Sequence, residues 1–187
     1  DDIKALNDGV MPEIEYGADG IPTAIGGKYS DIKVHSPDDA KKSLYSIKTL
    51  MKFNDPKNEF KLDMMDKTST PYLFSFDQVF NKIIVYGKGL EIATDENGTI
   101  IDIGGDYDVN LNLDSTPKIT KKEAQDIAEK SFGGEASEPE SIFWAIDKYE
   151  ESPVLTWKMD MGNAYQIVYV NAYNGEIVYN ESTMLDD

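Results

Sequence analysis

Ala40, Leu44, Ile47 and Met51 follow one another at spacings of four, three and four, which predicts a helix with a single apolar stripe. Ser36 stands at the N-cap position, Pro37 at the first helical position, and Asp38 and Asp39 at the positive end of the helix dipole. Phe53-Asn54-Asp55-Pro56 ends the run, because a residue before proline avoids helical angles. A second helix is predicted from Thr120. Thr120 and Glu123 form a capping box, Ala124, Ile127, Ala128 and Phe132 make the apolar face, and Gly133-Gly134 stops it.

The remaining apolar runs read as strands. Short extended pieces are expected at Met11–Tyr16 and Ala24–Val34, with a turn at Asp19-Gly20. Glu59–Met65, Pro71–Val79, Lys82–Tyr86, Leu90–Thr94 and Thr99–Ile103 follow, the last two joined across Asn97-Gly98, where both residues tolerate the positive φ of a tight hairpin. Tyr107, Val109, Leu111 and Leu113 alternate with Asp106, Asp108, Asn110, Asn112 and Asp114, as in a half-buried strand whose acids face water. After a boundary at Ser115-Thr116-Pro117 and the second helix come Ser141–Lys148, Val154–Met161, Ala164–Tyr173 and Glu176–Asn180. Gly162-Asn163 and Asn174-Gly175 turn the last three into an antiparallel meander. Each half thus carries one capped helix and several antiparallel strands. The expected fold class is α+β, with two helix-plus-antiparallel-sheet domains, residues 1–114 with an extended lead and residues 117–187.

Composition narrows the function. The 187 residues carry 18 basic and 35 acidic side chains, every basic one a lysine, for a net charge of −17. Nucleic acid and anionic membrane are repelled by such a field, while a basic protein surface or a cation suits it. No cysteine is present, so thiol nucleophiles, thiolate metal sites and disulfides are all excluded. No apolar run reaches the ~18–20 residues of a membrane span. The chain begins Asp1-Asp2 without Met, as expected of a mature form, from which an upstream targeting segment has been removed, or of a trimmed piece of a longer chain.

With one histidine, His35, an HExxH zinc site is impossible, and any Ser-His-Asp triad must use that same side chain. No serine sits in a Gly-x-Ser-x-Gly elbow, and no catalytic residue or cofactor is expected. Gly87-Lys88-Gly89 and Gly104-Gly105 complete neither phosphate-loop pattern and read as strand ends. Asp106, Asp108 and Asn110 imitate the start of an EF-hand loop, but Leu111 and Pro117 occupy the positions that need Gly and Glu. The alternating strand is the preferred reading there, and a calcium site the other. Tyr165, Tyr169, Tyr173 and Tyr179, with Trp144 and Trp157, supply cross-strand packing or a face for a peptide or sugar. Asn97-Gly98-Thr99 and Asn180-Glu181-Ser182 fit the glycosylation pattern, the first being better explained as a turn.

Residues 74–111 resemble the fungalysin/thermolysin propeptide (FTP) domain. Gln78, Phe80, Ile83, Val85, Tyr86-Gly87, Asn97-Gly98 and Gly105-Asp106-Tyr107 occupy the places of that family's pattern, with Lys82 where Gly is usual and Ile84 where Pro is usual. Residues 36–53 resemble its opening helix. Residues 118–180 are similar to a PepSY domain, with ITKKEAQDIAEKSFGG as its helix and YQIVYVNAYNGEIVY as its closing hairpin. In the pro-regions of thermolysin-like metalloproteases these two domains precede a zinc protease, assist its folding and hold it inactive. The resemblance therefore implies a non-catalytic, secreted or cell-surface bacterial protein. Its expected partner is a thermolysin-like peptidase domain, in cis or in trans. Asn180, Glu181, Ser182, Thr183 and Met184 are the expected partner-binding segment, the chain after Tyr179 lying toward a peptide cleft. The alternative is a stand-alone PepSY-type binding protein of the cell surface or exterior with no attached protease.

Overall fold

The computed structural model describes residues 2–145 and 152–184. The predicted strand end at 146–148 lies outside them. The chain is α+β and divides into two compact units, residues 1–82 with 87–111 and residues 83–86 with 112–187.

The first unit opens with helix α1 (Asp2–Leu6) and strands β1 (Glu13–Tyr16) and β2 (Pro22–Gly26). Helices α2 (Pro37–Ser43) and α3 (Pro56–Glu59) precede strands β3 (Phe60–Asp66), β4 (Tyr72–Phe80), β5 (Ile83–Thr94) and β6 (Ile100–Asp106). The lead is therefore not a loose extension. β1 pairs with β2, and β2 pairs with β6 through Ala24–Gly104 and Ile25–Ile103. The Asn7 side-chain amide ties α1 down, donating to the carbonyls of Ile3 and Lys28 at 2.7 Å and accepting from Lys28 N at 3.0 Å.

Ser36 caps α2 as expected, its hydroxyl accepting from Asp39 N. The stripe Ala40, Leu44, Ile47 and Met51 is fully buried. The helix itself is shorter than the stripe. It tightens into a 3-10 turn over Leu44–Ile47 after Ser43, whose hydroxyl bonds back to Ala40 O at 2.7 Å and meets the buried Tyr29 hydroxyl at 2.9 Å. This stripe packs with Ile25, Phe74, Phe76 and Ile92 from the sheet into one core, each such side chain contributing roughly 1.5–3 kcal/mol by leaving water.

Two predicted strands, Lys82–Tyr86 and Leu90–Thr94, are one continuous β5, and Gly87-Lys88-Gly89 is interior to it rather than a strand end. Gly89 and Gly105 are required by close approach: a Cβ on either would lie 2.2 Å from a neighbouring carbonyl oxygen. The β5–β6 connection is wider than a two-residue hairpin. Only Gly98 takes a positive φ, and the Asp95 carboxylate accepts from Asn97 N and Thr99 N.

The predicted strand over Tyr107–Leu113 does not form. β6 ends at Asp106, and Asn110 adopts a left-handed φ of 56°, outside the extended region. In place of a ladder, Gln78 holds this segment. It occupies an inward position of β4 beside Phe74 and Phe76, is 3% exposed, and exchanges hydrogen bonds with Asp108 N (2.9 Å) and Asp108 O (2.7 Å).

The second unit contains helix α4 (Lys121–Phe132) and strands β7 (Glu140–Trp144), β8 (Val154–Asp160), β9 (Gln166–Asn171) and β10 (Ile177–Ser182). The Thr120–Glu123 capping box is present, and Ala124 and Ala128 are buried where α4 meets β8 and β9. The strands run antiparallel in the order β7-β8-β9-β10, and Val85 of β5 pairs in parallel with Phe143 of β7. Register places Phe143, Leu155, Trp157, Met159, Val168 and Val170 on the helix-covered face.

Candidate functional site

The opposite face of the second unit carries a cluster of rings. Trp144 stacks on Tyr86 (centroids 4.1 Å apart) and on Tyr179 (4.8 Å), and Tyr169 packs against Trp144 (4.2 Å) and Tyr179 (5.7 Å). Trp144 and Tyr169 are buried, whereas Tyr86 is 51% and Tyr179 41% exposed. Ile84, Ile167 and Val178 support the cluster. Burial pushes the Tyr169 hydroxyl well above the ordinary tyrosine range, and the negative charge of the nearby Glu181 pushes it further. Register places Glu181 on the same face as Tyr179 and Tyr169.

Of the six aromatic residues singled out in the sequence, three reach this face. Trp157 lies on the helix side, donating from its indole N–H to Ile119 O at 3.1 Å. Tyr173 donates to Asp114 O, and Tyr165 sits at the β8–β9 turn in the left-handed region. Tyr86 joins the cluster from far along the chain. Its parity with Ile84 was visible, but only the β5–β7 pairing brings it beside Trp144.

The predicted partner-binding segment lies next to these rings. Asn180, Glu181 and Ser182 belong to β10, in register with Val168, Ile167 and Gln166. The strand continues in effect to Thr183, whose N–H donates to Tyr165 O at 2.8 Å, and Met184 N reaches Ser182 Oγ at 3.2 Å. In an antiparallel ladder, donors alternate sides. With Thr183 bonded to β9 and no register break from Tyr179 to Ser182, the N–H groups of Asn180 and Ser182 point away from β9. β10 has a strand neighbour on one side only among the described residues. Its outer edge thus presents two backbone donors with no strand partner among the described residues, with Tyr179 and Glu181 on the ring face.

Of the calcium candidates, Asp106 and Asp108 both approach Lys88 Nζ, at 3.0 and 3.3 Å, and Asn110 has a φ of 56°. Those carboxylates raise the Lys88 pKa against the opposing effect of burial. No group of three or more His, Asp or Glu side chains is placed to hold a metal among the described residues. His35 is exposed, and its carbonyl accepts from Lys67 Nζ at 2.7 Å. No helix of the described residues is long and apolar enough to cross a membrane.

No family model matches the chain, and no curated protein does. Among solved structures it is similar to the Bacillus megaterium YpeB C-terminal domain, at 16% identity and a TM-score of 0.47, over 89% of this chain and 74% of that one. It is also similar to a provisionally described lipoprotein from Clostridium difficile 630, at 16% identity and a TM-score of 0.29, over 81% of this chain and 95% of that one. With TM-scores this low, neither likeness supplies a function.

Proposed function

We propose that this chain is a non-catalytic binding protein that captures an extended segment of a partner protein along β10. The observation that carries this reading is the free edge of β10, with outward donors at Asn180 and Ser182 beside the partly exposed rings of Tyr179 and Tyr86. Strand addition suits such an edge, because backbone hydrogen bonds supply affinity and alternate side chains supply selectivity. A second copy of the chain is a poor occupant, since two molecules of charge −17 repel.

The identity of the partner comes from the resemblance of residues 74–111 to the FTP domain and of 118–180 to the PepSY domain, which favours a thermolysin-like metallopeptidase and a location outside the cell. On this reading the chain inhibits the peptidase and assists its folding. Titrating the purified protein into a thermolysin-like peptidase tests it. Inhibition at micromolar concentration is expected, and Asn180→Pro, which removes one outward donor and the Asn180 Nδ2 bond to Gln166 Oε1 (2.9 Å) but no backbone bond to β9, weakens it. Full peptidase activity at that concentration would remove the inhibitor reading for that enzyme. A protein partner of another kind then stands as the alternative, in a stand-alone PepSY-type surface protein.

A further inference from the structure

We propose that the segment docking on β10 is cationic, with lysine or arginine at alternate positions, one head group over the Tyr179 ring and the next against Glu181. This rests on the docking-edge reading above and adds the chemistry of the ligand.

Geometry sets the pattern. A strand added beside β10 lies about 4.8 Å away and turns every second side chain to the ring face. Those side chains fall opposite Tyr179 and Glu181, with Cβ separations of about 4.5–5.5 Å. Glu181 stands on this face two residues after Tyr179, in register with Ile167 as Tyr179 is with Tyr169, so a carboxylate lies beside the rings before any ligand arrives. Tyr179 is stacked on Trp144 through one side of its ring and is 41% exposed, which leaves aromatic surface for a cation. The cross-strand row that contains Glu181 continues through Ile167 to Asp160, a second carboxylate on the same face. Glu176 is exposed just before β10 begins. Lys158 is the one cation in the neighbouring row, and it is paired across the ladder with Glu140 on one side and Tyr169 on the other. An acidic segment would meet repulsion from Glu181 and from the net charge of −17. A purely apolar segment would leave the Glu181 charge partly desolvated with no added partner.

Calorimetric titration of the full chain tests this with three capped hexapeptides. One alternates lysine with threonine, and its twins carry glutamine or glutamate in place of lysine. The lysine peptide is expected to bind at least about tenfold more tightly than the glutamine twin, with the difference collapsing at high salt, and the glutamate twin not at all. Tyr179→Ala and Glu181→Gln are each expected to weaken the lysine peptide about three- to tenfold and to leave the glutamine twin nearly unchanged. Equal binding of the three peptides, no binding of any, or lysine-peptide binding indifferent to both substitutions overturns the proposal. Asn180→Pro, with Ser182→Pro as a second variant, separates the two levels. Equal binding of all twins that is lost in the proline variants keeps the docking edge and removes the cation. Binding that survives both proline variants removes the edge as well.

Discussion

Single residues show where inward positions are not apolar. Thr94 is fully buried at the end of β5, and its hydroxyl has no hydrogen-bond partner among the described residues. Replacing such a group by an isosteric methyl removes a desolvation cost. Thr94→Val is therefore expected to be neutral to about 1 kcal/mol more stable in urea unfolding, and a loss of more than ~1 kcal/mol would show that the hydroxyl is satisfied. Charged residues of the first unit make opposite contributions. Asp102 has its pKa raised, first by burial and then by Glu15 and Glu91. Its ionised form thus costs stability above the folded pKa, and the cost fades as pH falls. Asp95 has its pKa lowered, first by the Thr99 backbone N–H. Its contribution is present above the usual carboxylate value and disappears as pH falls through the lower folded value. Asp102→Asn should accordingly raise Tm at pH 7 and Asp95→Ala should lower it, and both differences should shrink in melts repeated toward pH 3. Shifts that persist unchanged at pH 3 would assign these effects to packing. Asp102 did not advertise this in the sequence, because Glu15 and Glu91 come from other strands, whereas the Asp95 partners Asn97 and Thr99 lie in its own loop.

At the scale of elements, the sequence revealed what is local and hid what is assembled across the chain. The Ser36 and Thr120 caps, the Ala40–Met51 stripe and the Asn174-Gly175 turn are short-range features, and they stand where the spacing placed them. The five-residue α1, the pairing of β2 with β6 and the fusion of two predicted strands into β5 depend on distant partners. The segment after β6 was misread for a related reason. Its alternation of half-buried and exposed residues is real, but the backbone at Asn110 is left-handed, outside the extended region, and Gln78 supplies the hydrogen bonds instead. Gln78→Leu, close in volume, would keep the inward position filled and leave the Asp108 N–H and C=O without their partner. A cost of about 1–3 kcal/mol in denaturant unfolding is expected, against nearly none if water replaces the amide. In the second unit, the candidate segment 180–184 was named from the sequence. Its role as an edge strand, and the assembly of Tyr86, Trp144, Tyr169 and Tyr179 on one face, required the register of four strands.

For the molecule as a whole, acidity and a free sheet edge point the same way. A chain with 35 acidic and 18 basic residues sets up a field that opposes other polyanions, while its second unit offers backbone donors beside rings and a carboxylate. Recognition by such a surface needs no bond-making chemistry. Hydrogen exchange of the protein, alone and with a thermolysin-like peptidase, tests partner capture most directly. The β10 amides of Asn180 and Ser182 should exchange readily in the free chain and slow markedly in the complex. A complex that forms while these amides exchange at their free rates, with slowing confined to the first unit, would contradict capture at β10.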